Sequence, residues 1–160
     1  MTSVKIDAEH AMSMMKHVTI FAGINETNIR QIYDNCTIID TKAGDIIFQE
    51  GTPATEIYLI LSGKCSVILN LGEDPMEIVE FGPGNCIGES SVIGVQHHCA
   101  SVLAKEDSVL LELSRKMLMD IFENDKGLFS MLIINIAREL ARRLHNTNQL
   151  LYQYRKMARV

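Results

Sequence analysis

Between Phe81 and Ala100 the chain reads Phe81-Gly82-Pro83-Gly84-Asn85-Cys86-Ile87-Gly88-Glu89-Ser90-Ser91, with His98-Cys99-Ala100 closing the stretch. Gly88 followed by Glu89 is a buried-glycine turn that delivers a carboxylate, an acceptor suited to a ligand hydroxyl. The backbone N–H groups of Gly88, Glu89, Ser90 and Ser91 supply a row of donors of the kind that holds a singly charged anion. His98 adds one or two hydrogen bonds, although near pH 7 its imidazole is mostly neutral unless an anion raises its pKa. Acceptor and donors side by side describe binding. Catalysis has no comparable signature: there is no P-loop, no Ser/His/Asp pattern, no H-E-x-x-H and no carboxylate pair placed for acid–base work. A protein that is not an enzyme is expected.

The elements that must carry these residues change period along the chain. Residues 1–20 form an N-terminal helical segment, with a short helix over Ala8–Val18 and Met12 and Met15 on its apolar side. Asn25 or Thr27 caps a second helix, ending near Asn35, that places Ile29, Ile32 and Tyr33 on one face. From Thr37 the chain turns β-rich: Thr37–Asp40, Ile46–Glu50, Ile57–Leu61, Cys65–Leu69, Met76–Phe81, Ala100–Ala104 and Ser108–Leu113 are strand-like runs punctuated by glycine and proline. Short strands at this spacing predict an antiparallel sandwich or barrel, and eight of them make a jelly roll. The expected fold is mainly β with flanking α: a β-roll over 21–127, preceded by helices and followed by a long helix.

That last helix begins near Leu128, after a break at Asn124-Asp125-Lys126-Gly127, and runs to about Ala158. Ile133, Ala137, Leu140, Leu144, Thr147, Leu151, Tyr154 and Ala158 recur along it every three or four residues. A mean period of 3.5 is the mark of a two-helix seam, so residues 128–160 are expected to form a dimerisation helix and the protein a homodimer.

At 160 residues the chain suits one domain, with 47% apolar and 22% charged residues. No apolar run is long enough to span a bilayer and the N-terminus lacks a signal pattern, so a cytoplasmic protein with no membrane partner is expected. Cys36, Cys65, Cys86 and Cys99 are widely spaced, with no C-x-x-C pair, and read as reduced thiols. The net charge is −5; from Arg138 onward six basic residues face Glu139 alone, a tail of +5 that leaves −10 for residues 1–137. An acidic body argues against general nucleic-acid binding, while the basic tail leaves room for an acidic protein partner.

Four segments resemble, in order and spacing, the cyclic nucleotide-binding domain family, of the catabolite-activator and protein-kinase-A regulatory-subunit type. They are Phe21–Ile24, Gly44–Gly51, Ile57–Gly63 and the run from Phe81-Gly82-Pro83-Gly84 to Gly88-Glu89. The resemblance implies a β-roll whose phosphate-binding cassette sets Glu89 on a ribose hydroxyl and the Gly88–Ser91 backbone on a cyclic phosphate. It also implies an arginine for that phosphate, followed by a small polar residue and alanine, where this chain has His98-Cys99-Ala100. Losing a permanent charge there puts charge-assisted bonds of about 1.5–3 kcal/mol at stake, roughly 10- to 150-fold in affinity. A protonated His98 is expected to stand in for it below neutral pH, with His97 as a second candidate. Transcription regulators of the family continue into a helix-turn-helix; residues 1–160 contain no recognition helix, so no direct DNA binding is expected.

Three functions are compatible with these residues. The first is a stand-alone sensor that takes a small anion, most simply cAMP or cGMP, with no cofactor required, and couples it to the last helix. The second is a degenerate pocket retained for dimerisation or docking, indifferent to nucleotide. The third is a haem or redox sensor using Cys86, His97, His98 and Cys99.

Overall fold

The computed structural model describes residues 6–159. Its eight strands are β1 (Thr37–Thr41), β2 (Ile46–Phe48), β3 (Glu56–Ser62), β4 (Cys65–Leu69), β5 (Met76–Phe81), β6 (Cys86–Ile87), β7 (Ser101–Ala104) and β8 (Ser108–Ser114). They form two four-stranded antiparallel sheets, ordered β1-β8-β3-β6 and β2-β7-β4-β5. Strand alternation divides the interior in two. Ile57, Leu59 and Leu61 of β3 join Val109, Leu111 and Leu113 of β8 against the helices. Ile60 and Leu110, one residue out of phase, meet Cys65, Ile87 and Val102 between the sheets. Both central strands are buried on both faces, which is why they read as nearly continuous apolar runs.

Five α-helices flank this roll: α1 (Ala8–His17), α2 (Glu26–Asp34), α3 (Glu89–Ile93), α4 (Arg115–Asn124) and α5 (Lys126–Met157). Asp7, Asn25, Ser114 and Asp125 cap α1, α2, α4 and α5 through their side chains, each accepting from a backbone N–H three residues on. Several strand ends shift by one or two residues from the sequence expectation, and two further differences have a physical cause. The expected four-residue break before α5 shrinks to Asp125, because its carboxylate accepts from Leu128 N at 2.9 Å and restarts the helix at once. β6 is also new: two residues are too few to carry a period, and pairing with β3 at Tyr58 and Leu59 defines them.

Helix α5 has 32 residues and is thus about 48 Å long at 1.5 Å per residue. Its first half packs on the protein through Leu128, Leu132 and Ile136. Asn135 locks it in place: the buried amide donates to Ile20 O at 3.1 Å and Ala22 O at 2.8 Å. This inward face is offset from the 3.5-residue stripe, of which Ile133 and Leu140 are half-buried and Leu144, Leu151 and Tyr154 exposed. Beyond Ala141 every described residue of the helix is exposed except Arg143.

Candidate functional site

The turn before the site is fastened to the centre of the sheet. Gly84 N donates to Ile60 O at 2.9 Å, Ile60 N donates to Asn85 O at 3.0 Å, and the Asn85 side chain closes the turn by accepting from Gly82 N. Strand β6 then leads into Gly88, at φ +87°. That left-handed conformation favours glycine, and a Cβ there would come 2.9 Å from Glu56 O. Helix α3 starts at Glu89, so its opening N–H groups have no acceptor within the helix. Arg115, at the start of α4, holds the far end by donating to Val92 O and Ala54 O.

A cavity of about 140 Å³ opens beneath this turn. Gly88, Glu89, Ser90, Ser91, His98, Cys99 and Ala100 all line it, with Phe48, Phe81 and three valines forming its apolar wall. His98 is 5% exposed and stacks on Phe48, the rings nearly parallel with centroids 3.8 Å apart. Its Nδ1 is buried with no hydrogen-bond partner. Burial lowers the imidazole pKa, against a smaller opposite pull from Glu56, so the ring is neutral at pH 7. The imidazolium expected from sequence therefore runs against the ring's own packing. His97 is exposed, bridging to Pro53 outside the cavity.

Glu89 is buried and already engaged. Arg143 of α5 reaches into the cavity and donates Nη1 to Glu89 Oε1, Nη2 to Cys86 O at 2.8 Å and Nε to Glu139 Oε1 at 3.3 Å. Its guanidinium also lies 4.6 Å from the centre of the Phe81 ring. Burial pushes the Glu89 carboxyl above its ordinary pKa, Arg143 pulls it back, and Glu139 adds a smaller upward push. Glu139 behaves oppositely: burial would raise it, but the hydrogen bond from Arg142 and the charges of Arg143 and Arg142 keep it below the usual range. Arg143 and Arg115 were not among the residues singled out from sequence. The signal for Arg143 was only its i+4 spacing from Glu139 on a long helix, which says nothing about where that helix crosses the roll.

Cys86 does not line this cavity; burial raises its thiol pKa well beyond the usual range. Of the four residues weighed for a haem or redox centre, the fold brings only His98 and Cys99 to the cavity.

A two-sheet roll, a glycine turn delivering a buried carboxylate and a cavity beneath it define the architecture of a β-roll domain. The family profile of the cyclic nucleotide-binding domain matches residues 39–125, and the chain belongs to that family. It is 27% identical over 131 residues to the Pycsar effector protein BcPycTIR of Burkholderia cepacia, covering 81% of this chain and 41% of that one. It is 31% identical over 106 residues to the cyclic AMP receptor protein of Thermus thermophilus, covering 66% of this chain and 47% of that one. The chain thus spans less than half the length of these two curated relatives. A cyclic nucleotide-binding domain from Methylobacillus flagellatus superposes with a TM-score of 0.80 at 22% identity, covering 91% of this chain and 83% of that one. No described helix is long and apolar enough to cross a membrane.

Proposed function

We propose that the chain is a regulatory sensor module: it binds a small anionic ligand, cAMP or cGMP being the simplest candidates, and passes occupancy of the cavity to α5. The domain boundaries follow that division of labour, with residues 21–127 taking the ligand and 128–160 answering it. The observation that carries this reading is the Glu89–Arg143 ion pair. It joins the carboxylate best placed for a ligand hydroxyl to the one inward side chain of α5's exposed half. A ligand that engages Glu89 must act on α5, either by sharing Arg143 or by displacing it. Such a ligand shifts the helix only in so far as it binds the two arrangements unequally. The polar groups of the cavity, namely one ion pair, backbone donors, two serines, a thiol and an imidazole, suit the binding of a small anion.

The output is a protein surface. Leu144, Leu151 and Tyr154 are 62%, 53% and 67% exposed and sit on the 3.5-residue stripe, so a second copy of the chain is the partner they suit best. An acidic protein is the next candidate, given the basic tail; DNA and membrane are not among the proposed partners.

The degenerate-pocket reading has one observation in its favour. Glu89 is already satisfied by Arg143 and His98 is packed away on Phe48, so the cavity is stable without ligand.

Thermal unfolding with millimolar cAMP or cGMP separates the two. A sensor at ligand concentrations near 100 Kd gains about 2.7 kcal/mol, on the order of 5–10 °C for a chain of this size. An unchanged melting temperature with both nucleotides favours the docking module.

A further inference from the structure

We propose that Arg143 is the cation that meets the ligand's anionic group, and that it does so by exchange, leaving Glu89 while Glu89 takes up a proton from solvent. This rests on the anion-binding reading above and deepens it.

Charge counting at the cavity leads there. Among the residues that line it, Arg143 is the one permanent cation and Glu89 the one carboxylate, so the unliganded site is balanced. His98 supplies no charge at neutral pH, being buried against Phe48. An anion entering this site adds a third negative group to a single guanidinium that already holds buried Glu89 and, through Nε, Glu139. One of these groups must be neutralised. The ligand's phosphate diester is a strong acid and stays ionised; the carboxyl is the group that can accept a proton.

The groups around Glu89 favour that outcome. From α5 it faces Arg143 and, further off, Glu139; from β6 it faces the buried Cys86 thiol; across the cavity stands neutral His98. Burial and Glu139 both push its pKa up, and Arg143 is the main influence holding it down. Once Arg143 turns to the ligand, nothing of that strength holds the carboxyl ionised. Protonated Glu89 keeps a carbonyl oxygen to accept the ligand hydroxyl. Meanwhile the Nε contact to Glu139 anchors the Arg143 side chain as its Nη1 end swings. The proton balance is simple: one proton moves from solvent to Glu89 for each anion bound, and no covalent bond is made or broken.

The exchange is read by isothermal titration calorimetry with cAMP and cGMP at pH 6, 7 and 8, in two buffers of different ionisation enthalpy. About one proton is taken up per nucleotide, and affinity rises by up to about tenfold for each pH unit lowered. Glu89→Gln, a permanent mimic of the protonated acid that keeps the acceptor, binds with no pH dependence and rules out His98 as its source. Arg143→Met loses at least about tenfold in affinity, the low end for a charge-assisted bond. Because that variant strands a buried carboxylate, the neutral pair Glu89→Gln/Arg143→Met is measured alongside it, and it too binds weakly while folded. Nucleotide binding without proton uptake, or with Arg143→Met as tight as the parent, overturns the exchange and leaves the sensor reading standing. No heat of binding from either nucleotide at any pH removes the sensor reading itself, and the exchange with it.

Discussion

Replacing Arg143 by methionine is expected to destabilise the unliganded protein by about 3–5 kcal/mol at pH 7.5, the cost of stranding one partner of a buried ion pair. The size follows from where the surviving charge is left. The Glu89 side chain is 3% exposed, so its carboxylate cannot rehydrate without opening the turn that carries it, whereas Arg143, at 23%, has a path to water. The mirror change, Glu89→Gln, is therefore expected to cost much less. Sign and pH window are fixed by the direction of the Glu89 shift. Its folded-state pKa lies above the unfolded value because burial penalises the charged form, and losing Arg143 removes the main opposing pull. A raised carboxyl contributes its stability fully below the unfolded pKa and loses it as pH rises through the folded one. The penalty of Arg143→Met should accordingly be smallest near pH 4.5 and grow toward neutrality. Urea denaturation at pH 4.5, 6 and 7.5 measures it; a penalty that is flat with pH, or under 1 kcal/mol at pH 7.5, would mean that the pair is not the lock described here.

The second large effect falls on assembly. Substituting Leu144→Glu together with Leu151→Glu is expected to turn a dimer into a monomer of the 17.9 kDa chain mass. Each leucine lies in the exposed half of α5 on the seam spacing. Burying a leucine side chain contributes about 1.5–3 kcal/mol, and a two-fold seam buries each of them twice. Losing these contacts and placing carboxylates opposite one another should weaken association by more than about 4 kcal/mol, a thousandfold in Kd. The β-roll should not notice, because neither side chain packs on it: the melting temperature of the dilute variant should match that of the dilute parent. Analytical ultracentrifugation reads the mass. A parent already monomeric at tens of micromolar, or a variant still dimeric, would remove the seam from the account.

The fold was legible because its punctuation is local. Glycines at turns, the nearly continuous apolar runs of β3 and β8, and the cap Asn25 act within a few residues of one another, and sequence order preserves that proximity. Strand β6 escaped because two residues have no periodicity of their own; hydrogen bonds from β3, some 30 residues away, make it a strand. The seven residues singled out around the cassette do line one cavity, again because they lie close in sequence. What was not legible is what crosses the fold. Arg143 stands 54 residues from Glu89 and meets it only because Leu128, Leu132, Asn135 and Ile136 fix the rotation of α5 against the roll. Its neighbour Arg142, one residue away, misses the cavity, pairs with Glu139 along the helix and stays half exposed. Nothing in the local sequence distinguishes the two. The packing of His98 was not legible for a related reason: its stacking on Phe48 depends on a pairing of β2 and β7 that no run of residues around position 98 announces.

Hydrogen–deuterium exchange along the whole chain, with and without saturating cyclic nucleotide, tests most directly whether the cavity speaks to the helix. If Arg143 is the link, protection should change in residues 84–100 and, in the same titration, in residues 138–157 of α5, with the α5 response lost in the neutral-pair variant. Exchange that changes only in residues 84–100, with α5 indifferent to a bound nucleotide, would contradict the coupling and leave the ion pair as a structural brace.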